Sequence, residues 1–110
     1  PWLTEDDLHF YVEEITRTGF RGGLNWYRNI NRLPAITAPF LGSTIEQPSF
    51  YMGGSTDLIA GNTPEAISAM QQALGDLRHC EIIEGAGHWL QQECASEVSS
   101  AMVTFLEGLD

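Results

Sequence analysis

Two short strand-like runs, each closed by glycine and separated by one helix, constrain this chain most. Pro48 to Met52 is apolar and aromatic and ends at Gly53-Gly54, which predicts a buried strand and a tight turn. Thr63-Pro64-Glu65 then opens a helix with proline in its first turn, and Ile67, Met70 and Leu74 share one side before Gly75. Arg78 to Glu84 carries the β-branched pair Ile82-Ile83 and stops at Gly85, as a second strand would. Strand, helix, strand at this spacing is a βαβ unit, so the strands should be parallel and the crossover right-handed. Two parallel strands are a poor core alone, because a parallel sheet needs both faces covered and usually more strands. The expected fold class is therefore α/β, with this chain as the C-terminal part of a larger open sheet.

Helices are expected on either side of that unit. Thr4 followed by Glu5, Asp6 and Asp7 reads as an N-cap with acids in the first turn, Leu3 and Leu8 as a hydrophobic staple, and Gly19 as the stop of a helix reaching about Thr18. Phe20 to Gly23 reads as a turn, with Leu24, Tyr27 and Ile30 on one face of a second helix that should end before Pro34. Ala35 to Gln47 has no period and is expected to be a connecting loop. A last helix should run from about Ala95 to Leu106, with Val98, Ala101, Met102 and Phe105 at helical spacing. The helical pair would pack over the sheet's end as part of a cap.

Charge narrows the function classes. The 110 residues carry 5 basic and 15 acidic side chains, a formal net charge of −10. Nucleic acid and anionic membrane surfaces require a basic face, so neither is expected as a partner. Arg17, Arg21, Arg28 and Arg32 cluster beside acids such as Glu13 and Glu14 and read as solvated helix faces. No run approaches the ~18 apolar residues of a membrane span. Cys80 and Cys94 are too few for a disulfide framework and lie in no metal-ligand cluster, which suits reduced thiols in a cytoplasmic protein. The start at Pro1 rather than Met gives the expectation of a piece of something longer.

Loops after the carboxyl ends of strands form the active sites of open α/β sheets. Asp57 follows the first strand and His88 the second, so both stand where chemistry is expected and their loops can converge on one sheet edge. A carboxylate that accepts from one imidazole nitrogen fixes the tautomer and frees the other nitrogen as a base. That is the acid and base half of a nucleophile-His-acid triad. No GxSxG elbow accompanies it, so the segment cannot complete a triad alone. His9 and His79 fit surface or packing roles, and the three histidines lack metal-ligand spacing, so no metal is expected.

Three stretches resemble one family. Gly19-Phe20-Arg21-Gly22-Gly23-Leu24-Asn25-Trp26-Tyr27-Arg28-Asn29 resembles the cap segment of epoxide hydrolases of the α/β-hydrolase fold. Gly85-Ala86-Gly87-His88-Trp89-Leu90-Gln91-Gln92-Glu93 is similar to that family's catalytic histidine loop, and Phe50-Tyr51-Met52-Gly53-Gly54-Ser55-Thr56-Asp57 to its acid-bearing strand end. The Leu-Asn-Trp-Tyr-Arg-Asn run is the specific part; Gly-His alone would fit almost any α/β-hydrolase. The resemblance implies a C-terminal part of an α/β-hydrolase fold, with residues 1–34 as the end of a helical cap. Residues 35–110 would be the last two parallel strands of the core domain and their flanking helices.

It also implies a mechanism. Tyr27 would be one of two cap tyrosines that donate a proton to the epoxide oxygen; a phenol, ordinarily titrating near ~10, stays protonated at neutral pH and can do this. An aspartate outside this segment would attack an epoxide carbon, and His88, oriented by Asp57, would activate the water that cleaves the resulting ester to a vicinal diol. The second tyrosine and the oxyanion hole would also lie before Pro1. Trp26 and Trp89 would be pocket wall or packing. No cofactor is required. The expected partners are a small-molecule epoxide and the rest of the α/β-hydrolase chain, with a homodimer as a further candidate assembly. Cys94-Ala95 stands where the family often has Arg-Pro, which touches no catalytic group. The alternatives are a haloalkane dehalogenase or esterase of the same fold, which has no use for a donor at Tyr27, and a non-catalytic fragment.

Overall fold

The computed structural model describes residues 2–109; Pro1 and Asp110, the outermost positions of the two expected domains, lie outside the described residues. The chain forms two compact units, Pro1–Gly42 and Ser43–Asp110.

The first unit is helical. Helix α1 spans Glu5–Thr18 and begins as expected, with the Thr4 side chain accepting from the Asp7 amide and the Asp7 carboxylate accepting from the Thr4 amide. This reciprocal capping satisfies two helix-end N–H groups, and the bonds from Thr4 hold the Asp7 carboxyl below its ordinary range. Gly19 ends the helix at φ +70°, where a side chain would be strained.

The next segment departs from expectation. Helix α2 spans Arg21–Asn29, so Gly22 and Gly23 lie in its first turn rather than in a preceding turn. Glycine costs a helix backbone entropy but keeps its N–H donor, so the pair weakens the first turn without breaking it. Helix α2 does end before Pro34, as expected, but the helical path resumes beyond it. A 3₁₀ turn at Ile30–Arg32 leads into α3, Leu33–Thr37, with Pro34 in its first turn, where the missing N–H costs nothing. The expected loop after Ala35 is thus replaced by α3 and a 3₁₀ turn at Ala38–Phe40.

The second unit is the expected βαβ unit. Strand β1 spans Ile45–Gly54, α4 spans Pro64–Ala73 with Thr63 as its N-cap, and β2 spans Leu74–Ile83. The strands are parallel. Both are longer than their local composition suggested: β1 gains Ile45 to Gln47 and β2 gains Leu74 to Leu77, with Ile45 opposite Leu74 and Asp76 and Leu77 opposite Pro48 and Ser49. The register slips near Pro48, which has no N–H to give the ladder, and again between Ser49 and Phe50. From Phe50 opposite His79 it runs regularly to Gly54 opposite Ile83, so the strands finish level and release their loops at one end.

A short helix α5, Leu90–Glu93, precedes α6, Ala95–Glu107, and had no counterpart in the expected order. Cys94, at φ −130° and ψ 48°, separates the two. The buried core is small: Ala86, Leu90 and Val98, with Met52, Ile83 and Cys94 against it. Ala86 and Leu90 sit two residues on either side of His88, so this core holds both ends of the histidine loop. Among the described residues no helix is long and apolar enough to cross a membrane.

Candidate active site

The site is built on the joint between the two strand-end loops. The Ser55 amide donates to the Ile83 carbonyl at 3.0 Å, and the Thr56 amide and hydroxyl both donate to the Ala86 carbonyl, at 3.0 and 2.8 Å. In return the Gly85 amide donates to the Ser55 hydroxyl at 2.9 Å. Gly85 turns the chain at φ +78°. Gly54 permits the approach: a Cβ there would lie 2.3 Å from the Ala86 carbonyl oxygen and 2.5 Å from that of Gly87. The loops are therefore laced, backbone to backbone, just ahead of Asp57 and His88.

This lacing brings those two side chains together. His88 Nδ1 lies 3.0 Å from Asp57 Oδ2. A carboxylate can only accept, so the proton sits on Nδ1 and the Nε2 lone pair is left free. The other carboxylate oxygen, Oδ1, accepts from the amides of Ala60 at 3.0 Å and Ile59 at 2.8 Å. These bonds, that of Ala60 first, then His88 and Ile59, hold the Asp57 carboxyl below the usual range against the opposing effect of desolvation. The Asp57 side chain is 7% exposed and that of His88 44%, so the acid is enclosed while the imidazole reaches the surface.

A pH dependence follows. Because the folded carboxyl titrates below the unfolded value of about 3.9, its contribution to stability is complete above that value and is lost as pH falls through the folded one. Urea titrations of the full-length protein from pH 6 to pH 2 should show an acid-side loss of stability that shrinks in Asp57→Asn. Parallel curves for the two proteins would contradict this assignment.

Several residues around the pair carry no local mark in the sequence. Asn62 donates to the Gly54 carbonyl at 2.9 Å and accepts from the Tyr51 hydroxyl, clamping the Asp57 loop to β1. Burial pushes the Tyr51 phenol up, with Asp57 and Cys80 adding to the effect. Glu93 accepts from two amides of the histidine loop, Gly87 and Trp89. Apart from the Tyr51 hydroxyl, their partners are backbone groups brought near by folding.

Trp89 packs edge-on to the His88 ring, with centroids 5.5 Å apart, and is more than half exposed. In the first unit, Tyr27 and Trp26 line an apolar cleft of about 520 Å³ on α2, together with Asn25, Ile30 and Leu33. Both aromatic rings are exposed, Tyr27 at 72% and Trp26 at 82%. Asn25 is fixed by Arg28, which donates to its side chain at 3.0 Å. His9 pairs with Glu13 on the surface of α1, and His79 stacks on Phe50 beside Glu81. Among the described residues no group of three or more His, Cys, Asp or Glu side chains could hold a metal ion.

No protein-family model matches the chain. It is similar to Epoxide hydrolase A of Mycobacterium tuberculosis, with 44% identity across 99% of this chain and 33% of the relative. An epoxide hydrolase of Caballeronia sordidicola is 36% identical, again across 99% of this chain and 33% of its own. Among solved structures, Epoxide Hydrolase A from Mycobacterium thermoresistibile superposes with a TM-score of 0.84 at 41% identity, covering 99% of this chain and 34% of that one. An epoxide hydrolase from Vigna radiata gives a TM-score of 0.87 at 29% identity, covering 97% and 34%. The chain thus spans about a third of the length of the relatives it matches.

Proposed function

We propose that this chain, which aligns from end to end with a third of an epoxide hydrolase, supplies the acid-base half of an epoxide-opening site. Its fold is the C-terminal part of an α/β-hydrolase fold. The observation that carries the reading is the 3.0 Å bond from His88 Nδ1 to Asp57 at the level ends of two parallel strands.

The chemistry runs in two steps. An aspartate elsewhere in the full-length protein attacks an epoxide carbon through a carboxylate oxygen; the ring C–O bond breaks, and the emerging alkoxide takes the phenolic proton of Tyr27. The product is a hydroxyalkyl ester of the enzyme. His88 Nε2 then removes a proton from water, whose oxygen attacks the ester carbonyl while Asp57 stabilises the imidazolium through Nδ1–H. Collapse breaks the acyl C–O bond, His88 returns its proton to the leaving oxygen, a vicinal diol departs, and the proton left on the regenerated carboxyl restores the Tyr27 phenol. None of these steps calls for a cofactor. Trp26 and Trp89 serve as apolar wall. Residues 1–34 act as the end of the cap and residues 35–110 as core.

The free state of Cys80 and Cys94 suits a cytoplasmic setting. In the second unit Leu58 and Ile59 are each more than three-quarters exposed, and apolar side chains this open suit burial against the rest of a full-length hydrolase chain. A homodimer is the further assembly to examine, by light scattering.

The test is a parallel assay of the purified full-length protein on styrene oxide, a haloalkane and a carboxylic ester. Conversion of the epoxide alone is expected; turnover of only the haloalkane or only the ester would transfer the site to a dehalogenase or esterase. Within the epoxide reaction, Tyr27→Phe should slow ester formation about 10²-fold, the low end for a positioned acid, and leave ester hydrolysis unchanged. Rapid-quench kinetics separates the two steps, and an unaltered rate of ester formation would remove the donor role.

A further inference from the structure

We propose that Glu93 is a positioning residue for His88, acting through the two peptide groups that flank it; the inference deepens the function proposed above and rests on it. The Glu93 carboxylate spans the histidine loop. Its Oε2 accepts from the Gly87 amide at 2.7 Å and its Oε1 from the Trp89 amide at 3.1 Å. These are the residues immediately before and after His88. Farther out, buried Ala86 and Leu90 fix the loop's ends in the core.

The lack of a side chain at position 87 shows how closely the carboxylate fits. A Cβ on Gly87 would stand 2.9 Å from Glu93 Oε1, closer than real Cβ atoms come to any neighbour. Glycine there leaves room for the carboxylate, and the carboxylate in turn satisfies amides at the mouth of α5, where Trp89 has no side-chain cap. Asp57 holds the imbedded edge of the imidazole at Nδ1, yet a single hydrogen bond leaves the ring free to pivot with its backbone. Glu93 removes that freedom by pinning the backbone on both sides. The direction of Nε2, the atom that must meet the water, is then set by two anchors on separate elements, the Asp57 loop and α5.

The chemistry of the side chain makes the anchor demanding. Both carboxylate oxygens accept, which matches two N–H donors. Glutamine offers one acceptor and one NH₂, so Glu93→Gln can satisfy one amide and must present a donor to the other. Alanine satisfies neither. The expected effects are therefore graded.

The experiment uses the full-length protein with styrene oxide and reads ester formation and ester hydrolysis separately by rapid quench. E93A should slow hydrolysis about 10–100-fold, the scale of an ångström-level misplacement, with ester formation unchanged and KM falling with kcat as ester accumulates. E93Q should fall between E93A and wild type, and supplies the measurement should E93A not fold. Amide hydrogen exchange should accelerate at both Gly87 and Trp89 in E93A and at one of the two in E93Q. Hydrolysis at the wild-type rate, or equal slowing of both steps, overturns the proposal. If the wild type itself converts no epoxide, the functional reading fails, and unchanged exchange at Gly87 and Trp89 would then be what refutes the anchor.

Discussion

His88→Ala in the full-length protein should stop turnover while leaving the first chemical step intact. In the proposed mechanism ring opening uses the nucleophile and the tyrosine donors, none of which depends on the imidazole, whereas ester cleavage uses a base at Nε2. Intact-mass spectrometry after mixing with styrene oxide should show the protein heavier by one substrate molecule, and steady-state turnover should fall by about 10²–10⁴-fold, the range for a positioned general base. Asp57→Asn should act in the same step, because the amide can present a donor to Nδ1–H and favour the wrong tautomer. A variant lacking His88 that turns over near the wild-type rate would remove the base role outright.

Gly54→Ala should be the most damaging single-methyl change in the second unit. The added Cβ would meet the Ala86 carbonyl oxygen at 2.3 Å and its carbon at 2.6 Å, both backbone atoms of a residue that is 4% exposed. No side chain can swing aside to relieve this, so the two loops must separate. Their separation breaks the bonds from Thr56 to the Ala86 carbonyl and moves Asp57 relative to His88. Overpacking of this kind costs about 1–3 kcal/mol, and the lost hydrogen bonds add to it. The expected result is a lowered melting temperature together with a fall in kcat larger than the loss of folded protein explains. A fully active Gly54→Ala protein of wild-type stability would contradict the described closeness of the loops.

The sequence reveals most where structure is decided locally. The α1 cap depends on four consecutive residues and on Gly19, and both ends fall where they were expected. The proline-opened α4 and the parallel strands were equally legible, since the βαβ order leaves few alternatives. Asp57 and His88 could be singled out because glycine turns mark the ends of the strands that carry them.

What escaped the sequence depends on groups and conformations that carry no residue-level mark. Gly75, which reads as a helix stop, lies inside β2, where its bare backbone leaves room for the Glu46 carboxylate of β1; a Cβ would come within 2.6 Å of it. Pro34 reads as a terminator because proline usually ends a helix, but here it restarts one. Glu93, Asn62 and Thr56 look like ordinary polar loop or helix residues, because most of the groups they bind are backbone amides and carbonyls, which have no sequence signature.

The central claim is that a carboxylate-borne ester is formed and that His88, oriented by Asp57, directs water to its acyl carbon. The most direct measurement is a single turnover of excess full-length protein with styrene oxide in H₂¹⁸O. The oxygen added to the substrate then comes from the attacking carboxylate, so the diol should carry no ¹⁸O while the protein retains the label. Diol labelled in that first turnover would mean that water attacks the epoxide directly, and would contradict the account.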